Sequence, residues 1–231
     1  MTAAPRIMPG WPLQQRPVLC QGRRNKQLKP SPILMKQSNH MKKALRMEAL
    51  ARRDSLDPVW RIKASLGMAD HAAGRIEVEP GSAVSGFWPM RSEVDVRPLM
   101  FALAEKGARL CLPAIIDRST IVFRELVRGA ELVDTGFGTC GPAADAAILE
   151  PELMLVPLAA FDARGHRIGY GAGYYDRAIE RLHNLGKKPR LIGIAFDCQE
   201  VGLVPDEPHD VIIPEILTES GLRRFGTQVN S

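Results

Sequence analysis

"LMLVPLAAFDARGHRIGYGAGYYDR", residues 153–177, holds the fold in miniature: an apolar strand, a glycine loop and the start of a helix. Its first nine residues are the most apolar run in the chain, of strand length and broken by Pro157. A short apolar run bounded by turn residues suits a central strand buried on both faces of a parallel sheet. The run gives way to Gly169, Gly171 and Gly173 at alternate positions, then at once to Tyr174, Tyr175, Asp176 and Arg177. Glycine allows close backbone approach and positive φ, so such a loop suits a phosphate. A glycine-rich surface hairpin is the competing reading. It leaves unexplained why tyrosines, a carboxylate and a guanidinium follow directly, opening a helix whose N-terminus attracts anions.

Working outward, the spacing predicts a helix over residues 174–185 and a strand in "RLIGIAF", residues 190–196. Upstream, "SAVSGFW" (82–88), "ARLCLP" (108–113) and "TIVFREL" (120–126) read as strands, with a helix over 96–106. Asp57-Pro58 supplies an N-cap and a proline at the first helical position, opening a helix through about Ala73. "MKKALRMEALARRDSL", from Met41, is amphipathic, with Ala44, Leu45, Ala49 and Leu50 on one side. A short last strand is expected near Val211–Ile213. Strands alternating with helices predict a single α/β domain over residues 40–231, its largely parallel central sheet flanked by helices.

The net charge of +5 is unevenly placed. Residues 1–47 hold ten Lys/Arg and no Asp/Glu, which leaves 21 basic against 26 acidic residues in 48–231. A body about five charges negative argues against a nucleic-acid-binding domain, whose basic residues should stripe the folded surface. Residues 1–39 contain six of the eighteen prolines and read as a disordered basic leader. They lack the apolar core of a secretory signal, and their prolines spoil the amphipathic helix of a transit peptide; a later translation start at Met35 or Met41 is a third reading. Deleting residues 1–39 is expected to leave turnover and melting temperature nearly unchanged. No apolar run approaches the ~20 residues that span a bilayer, so no membrane partner is expected and a cytoplasmic location is. Cys20, Cys111, Cys140 and Cys198 are scattered, without the spacing of a zinc site or a disulfide framework.

Familiar phosphate motifs fail on spacing. From Gly169, G-x-G-x-x-G needs glycine at Tyr174; from Gly171 it needs one at Asp176. The loop also lies some ten residues past its strand, whereas the dinucleotide fingerprint follows the strand directly. No G-K-[ST] is present for a Walker-type loop.

Together with its surroundings, the stretch 153–177 resembles the 5-formyltetrahydrofolate cyclo-ligase family, also called methenyltetrahydrofolate synthetases. "KKALR" (42–46) is similar to the family's N-terminal nucleotide-binding helix, "WPMRSEVDVRPL" (88–99) to its folate-contacting strand end, and "PDEPHDVII" (205–213) to its C-terminal acidic motif. The resemblance spans about residues 41–225. It implies ATP- and Mg²⁺-dependent closure of 5-formyltetrahydrofolate to 5,10-methenyltetrahydrofolate, in which the formyl oxygen is phosphorylated and N10 then attacks. Such chemistry asks a protein mainly for positioning and charge neutralisation. A non-catalytic nucleotide-binding regulator on the same fold is the alternative; an NAD(P)-dependent oxidoreductase is a third reading, weakened by the glycine spacing.

Residue by residue, the resemblance implies an ATP site of Lys42, Arg46 and the run Arg167, Ile168, Gly169, Tyr170, Gly171, Ala172, Gly173, Tyr174 and Tyr175. Taken alone, Lys42 and Arg46 would read as one solvated helix face, since they lie four residues apart. Arg167 and Tyr174 are the implied catalytic pair. Met90, Glu93 and Asp95 are implied at the pterin and formyl end of the substrate, with Phe87 or Trp88 either core or stacked on the pterin. Asp176 and Asp210 are the implied Mg²⁺ ligands, a set that suits a hard cation completed by phosphate oxygens and water. Asp176 also suits a plain helix N-terminus. His209 reads as a loop histidine outside the catalytic set. One departure stands out: Gly141-Pro142 occupies the place of the family's usual acidic-proline pair, so that wall of the pocket is expected to differ. A monomer is expected.

Overall fold

The computed structural model describes residues 32–136, 139–207 and 210–226. In chain order they form α1 (Pro32–Asp54), α2 (Pro58–Ala73), β1 (Ala83–Ser85), α3 (Arg97–Glu105), β2 (Arg109–Ile115) and β3 (Ile121–Glu125). There follow β4 (Leu132–Gly136), β5 (Thr139–Pro142), β6 (Ile148–Leu149), β7 (Leu153–Pro157), β8 (Ala160–Phe161) and β9 (Arg167–Ile168). The chain continues through α4 (Tyr174–Asn184), β10 (Arg190–Ile194), β11 (Glu215–Thr218) and β12 (Gly221–Arg224).

Eight strands make one sheet in the order β12-β11-β10-β7-β1-β2-β3-β6. The pairs β1/β2, β1/β7, β7/β10 and β10/β11 are parallel. The outer pairs β11/β12, β2/β3 and β3/β6 are antiparallel. The apolar run chosen from sequence is central: Leu153–Val156 are all buried, with Ser85 against Met154 on one side and Leu191 on the other. Alternating strand residues feed two cores, as the two-residue pleat requires. Leu153, Leu155, Ile192 and Val84 face α2 and α3 with Met68, Leu99 and Leu103. Met154, Val156, Leu191 and Phe123 face α4 with Ala178, Ile179 and Leu182. The result is a helix–sheet–helix sandwich, a single α/β domain.

A third, smaller cluster is the one that builds the site. Ala49 and Leu45 of α1 pack on Ala160, Ile168 and Val204, so α1 lies across the β8–β9 hairpin that leads into the glycine loop. Asp162, fully buried in that hairpin, ties its turn to the loop carrying Val204. It accepts from the backbone N–H groups of Arg164 (2.9 Å), His166 (3.2 Å) and Val204 (2.9 Å) and from the Arg164 guanidinium.

Three expectations need correction. Helix α1 opens at Pro32, nine residues before Met41, because Pro32 suits a first helical turn and no further proline follows until Pro58, past the end of the helix. Residues 32–39 therefore belong to a helix, and residues 1–31 lie outside the described residues. The run 153–161 is not one strand: β7 ends at Pro157, and Ala160–Phe161 pairs separately with β9. Val211–Ile213 is irregular, and the last strands are β11 and β12 further on, around the turn at Gly221, whose φ is 121°. Among the described residues Cys111, Cys140 and Cys198 are free thiols, and burial pushes Cys111 up to about 12. Cys20 and His209 lie outside the described residues. Among the described residues no helix is long and apolar enough to cross a membrane.

Candidate active site

Strand order reverses between β1 and β7: β1 leads to β2 on one side, while β7 leads to β10 and β11 on the other. In open α/β sheets ligands bind beyond the C-terminal ends of strands at such a switch point. Here β1 runs out into Phe87, Trp88, Met90 and Glu93, β2 ends in Pro113 and Ile115, and β7 ends in Pro157; all of these line one cavity of about 350 Å³. Thr139 and Cys140 of β5, the glycine loop and the first turn of α4 complete it. The Gly141-Pro142 pair sits in the same hairpin, and it is the two residues preceding it that line the cavity.

A second cavity of about 260 Å³ lies on the other side of the loop, lined by Lys42 and Arg46 of α1, Ile168, Gly171, Arg177, Glu207 and Asp210 among others. Its walls are charged, whereas those of the first are mostly aromatic and aliphatic. The two cavities share Arg167, Gly169, Gly173 and Asp176. That shared seam is the centre of the site.

Local chemistry explains the loop. Gly171 has φ 104°, and a Cβ there would lie 3.7 Å from the Arg46 guanidinium. Gly173, at φ 65°, is the N-cap of α4 and offers no side chain to its first N–H groups. Arg46 Nε donates to the Gly169 carbonyl at 2.7 Å, and Arg177 donates to the carbonyls of Ala172 (2.8 Å) and Ser119 (2.6 Å). The loop is thus held by its carbonyls. Burial pulls the Arg46 guanidinium below its ordinary value, but an arginine stays charged at neutral pH.

The two predicted metal carboxylates line the same cavity, Asp176 from the first turn of α4 and Asp210 from the segment between β10 and β11. Asp176 accepts from Arg167 Nη2 at 2.8 Å and from the Val211 N–H at 3.4 Å. Asp210 accepts from Lys42 Nζ at 2.6 Å and from the Glu207 N–H at 2.9 Å. Among the described residues no group of three or more His, Cys, Asp or Glu could hold a metal by itself. Two carboxylates with phosphate oxygens and waters are nonetheless an ordinary Mg²⁺ environment, so the donor set fits.

On the aromatic side, Glu93 Oε2 accepts from the Met90 N–H at 2.8 Å and Oε1 from the Tyr170 hydroxyl. Burial pushes Glu93 up, against the pull of those bonds and of the Arg53 charge. Asp95 does not line the cavity. It pairs with Arg97 at 2.7 Å, and the Arg97 guanidinium lies 4.9 Å from the centre of the Trp88 ring, so Asp95 reaches the wall through two other residues. Tyr174 lines the cavity with its hydroxyl 3.5 Å from the Asp117 carbonyl. Arg167 Nε and the Tyr175 hydroxyl, by contrast, are buried with no hydrogen-bond partner among the described residues. Burial pushes the Tyr175 phenol up, keeping it a protonated donor.

Sequence reasoning missed Asn39, Glu207, Thr139, Cys140 and Arg53. Asn39 was placed in the leader, and Thr139 and Cys140 sit in a hairpin without alternation. Arg53 ends a helix beside Arg52, where two arginines look like an ordinary solvated terminus.

Comparison with known proteins agrees with this geometry. The family model described as "5-formyltetrahydrofolate cyclo-ligase family" matches residues 38–219. The 5-formyltetrahydrofolate cyclo-ligase of Escherichia coli (strain K12) is 30% identical over 163 residues, covering 66% of this chain and 88% of that protein. Its counterpart in Mycolicibacterium smegmatis is 33% identical over 146 residues, 60% of this chain and 74% of the relative. The solution structure of Aquifex aeolicus 5,10-methenyltetrahydrofolate synthetase superposes with a TM-score of 0.67 at 27% identity, covering 83% of this chain and 97% of that one. With the strand switch point, the paired cavities and the glycine loop all falling inside the matched span, the chain belongs to the 5-formyltetrahydrofolate cyclo-ligase family.

Proposed function

We propose that the protein is an ATP- and Mg²⁺-dependent ligase that closes the formyl group of 5-formyltetrahydrofolate onto N10, releasing ADP and phosphate. What supports this reading above all is the seam: an aromatic cavity and a charged one meet at Arg167 and Asp176, where two buried donors, Arg167 Nε and the Tyr175 hydroxyl, have no partner among the described residues. Unpaired buried donors are costly unless a ligand completes them.

In this reading the pterin lies in the aromatic cavity, against Phe87 or Trp88, with its N–H edge on Glu93. ATP lies in the charged cavity, its phosphates on the loop amides and between Lys42 and Arg46. Asp176 and Asp210 would hold Mg²⁺, which supplies neutralisation of the polyphosphate charge. The formyl oxygen and the γ-phosphate then meet at the seam, where Arg167 faces the charge that develops on the transferring group. The formyl oxygen takes the phosphoryl group and ADP leaves. N10 adds to the formyl carbon, the C–O bond breaks, and phosphate departs with the N10 proton. Arg167 takes the catalytic part that the resemblance implies, while the hydroxyl of Tyr175, without a partner among the described residues, serves as the second donor in place of that of Tyr174.

The test is an absorbance trace of the methenyl chromophore from purified protein, 5-formyltetrahydrofolate and MgATP. Product should appear only with ATP present. Asp210→Asn should fold yet need at least ~10-fold more Mg²⁺, as losing a metal contact does. No product at any ATP concentration would overturn the reading.

A further inference from the structure

Arg53, in the last turn of α1, is only 3% exposed. Its guanidinium contacts two neutral hydroxyls, Nε donating to Ser92 Oγ at 2.9 Å and Nη1 to the Tyr170 hydroxyl at 2.7 Å. Each hydroxyl in turn donates its O–H to a carboxylate: Ser92 to Asp54, and Tyr170 to Glu93. A buried arginine carries a large desolvation penalty, and an apolar residue would pack there more favourably. If the only task were to fasten α1 to the 88–93 loop, the Ser92 contact would suffice. The arm to Tyr170 does something else.

Tyr170 belongs to the glycine loop, between Gly169, whose carbonyl is held by Arg46, and Gly171, which lies beneath Arg46. Tyr170 is 40% exposed and lines the aromatic cavity, while its hydroxyl is fixed between Arg53 and Glu93. One residue of the loop that borders the charged cavity thus orients the carboxylate of the aromatic one. Each Glu93 oxygen accepts one protein bond and retains a second lone pair, enough for two adjacent N–H groups of a planar ligand.

We infer that Arg53 and Tyr170 are positioning residues: a buried strut that fixes Glu93 for the pterin and makes its orientation and the glycine-loop conformation one unit, so that folate and nucleotide bind with positive coupling. The inference rests on the function proposed above. A ligand that orders the strut leaves less ordering for the other to impose, and each tightens the other by the same factor.

Tyr170→Phe removes only the hydroxyl. The KM for 5-formyltetrahydrofolate should rise roughly tenfold, the size of a lost hydrogen bond to a charged group, with kcat falling far less. In calorimetric titration, the wild-type protein should bind MgATP roughly fivefold or more tightly with the folate present, and in Tyr170→Phe that factor should fall toward one. Arg53→Gln should act in the same direction, Arg53→Lys should recover part of the loss, and the double variant should be no worse than Tyr170→Phe because the two act in series. Should Arg53→Gln fail to fold, Tyr170→Phe decides alone. A purely structural fastening would lower the melting temperature and leave the coupling factor intact; that result overturns the inference, as does a wild-type protein that turns over but binds its two ligands independently. A wild-type protein that forms no product and binds neither ligand overturns the proposed function, and the strut with it.

Discussion

Gly171 is where the glycine loop allows a sharp test of its purpose. At φ 104° a β-branched residue is strained, and its Cβ would point at the Arg46 guanidinium 3.7 Å away. Gly171→Val should therefore displace the loop and Arg46 together. We expect MgATP affinity to fall at least ~10-fold, about 1.4 kcal/mol, with a melting temperature close to wild type because the loop lies outside both cores. Equal affinity by calorimetry would show that the loop does not cradle polyphosphate. The glycines drew attention in sequence because glycine at alternate positions has few uses; helix geometry put Lys42 and Arg46 on one face, but only the family resemblance gave that face a ligand. Asp95 stands in the substrate set, with Met90 and Glu93, because the resemblance of the 88–99 segment implies it. In space Glu93 and Asp95 part company, because Glu93 turns toward the cavity while Asp95 stays with Arg97 at the start of α3. Arg53 left no sequence signal, since nothing in a terminal arginine pair says which of the two is enclosed.

At the scale of elements, α1 is longer than its periodicity suggested, and the extra turns have work to do. Ser38 Oγ donates to Glu207 at 3.1 Å, and Asn39 lines the charged cavity beside Lys42. Deleting residues 1–31 should leave MgATP affinity and melting temperature unchanged. Deleting 1–40 puts Lys42 into a fraying first turn while Leu45 and Ala49 keep the helix docked. We expect several-fold weaker MgATP binding and a melting temperature lower by roughly 2–4 °C, the scale of ~1 kcal/mol in a chain of this size. Two deletions that behave alike would mean that the turns before Lys42 contribute nothing. The parallel strands were readable because burial on both faces makes them continuously apolar; the β4–β5 hairpin was not, because Thr139 and Cys140 line a cavity and the hairpin shows no apolar alternation. The β11–β12 pair was hidden for a related reason: an edge hairpin such as "EILTESGLRR" carries too few apolar residues to outshine the Val211–Ile213 run before it.

For the molecule as a whole, acid should act through the carboxylates that tie segments together. Burial raises Asp162, but the backbone N–H of Val204 and the Arg164 contacts outweigh it and hold the group below its usual value; Glu215 is held low by Arg190. A lowered folded pKa means that the unfolded chain binds more protons between the two values. Their stabilisation is therefore complete above the unfolded values of about 4 and is lost as pH falls through the folded ones. Glu93 and Glu219, raised by burial, act in the opposite sense and slightly favour the fold as they take up protons above that range. Urea midpoints should change little from pH 7 to about 5 and fall steeply below about 4. Asp162→Asn should lower the plateau and flatten the acid limb. An unchanged acid limb in that variant would remove Asp162 from the account.

The Lys42–Asp210 contact joins residues 168 positions apart, and it closes the charged cavity. During synthesis on the ribosome, α1 and the glycine loop are finished well before the segment bearing Asp210 has emerged. A chain interrupted before Asp210 lacks one wall of that cavity, and with it Ile213, Ile216 and Leu217 of the two cores. On the proposed function, a nucleotide that needs both Lys42 and Asp210 would lend its binding free energy only to copies whose chain extends past Asp210, protecting those from proteolysis as ligand concentration rises over Kd.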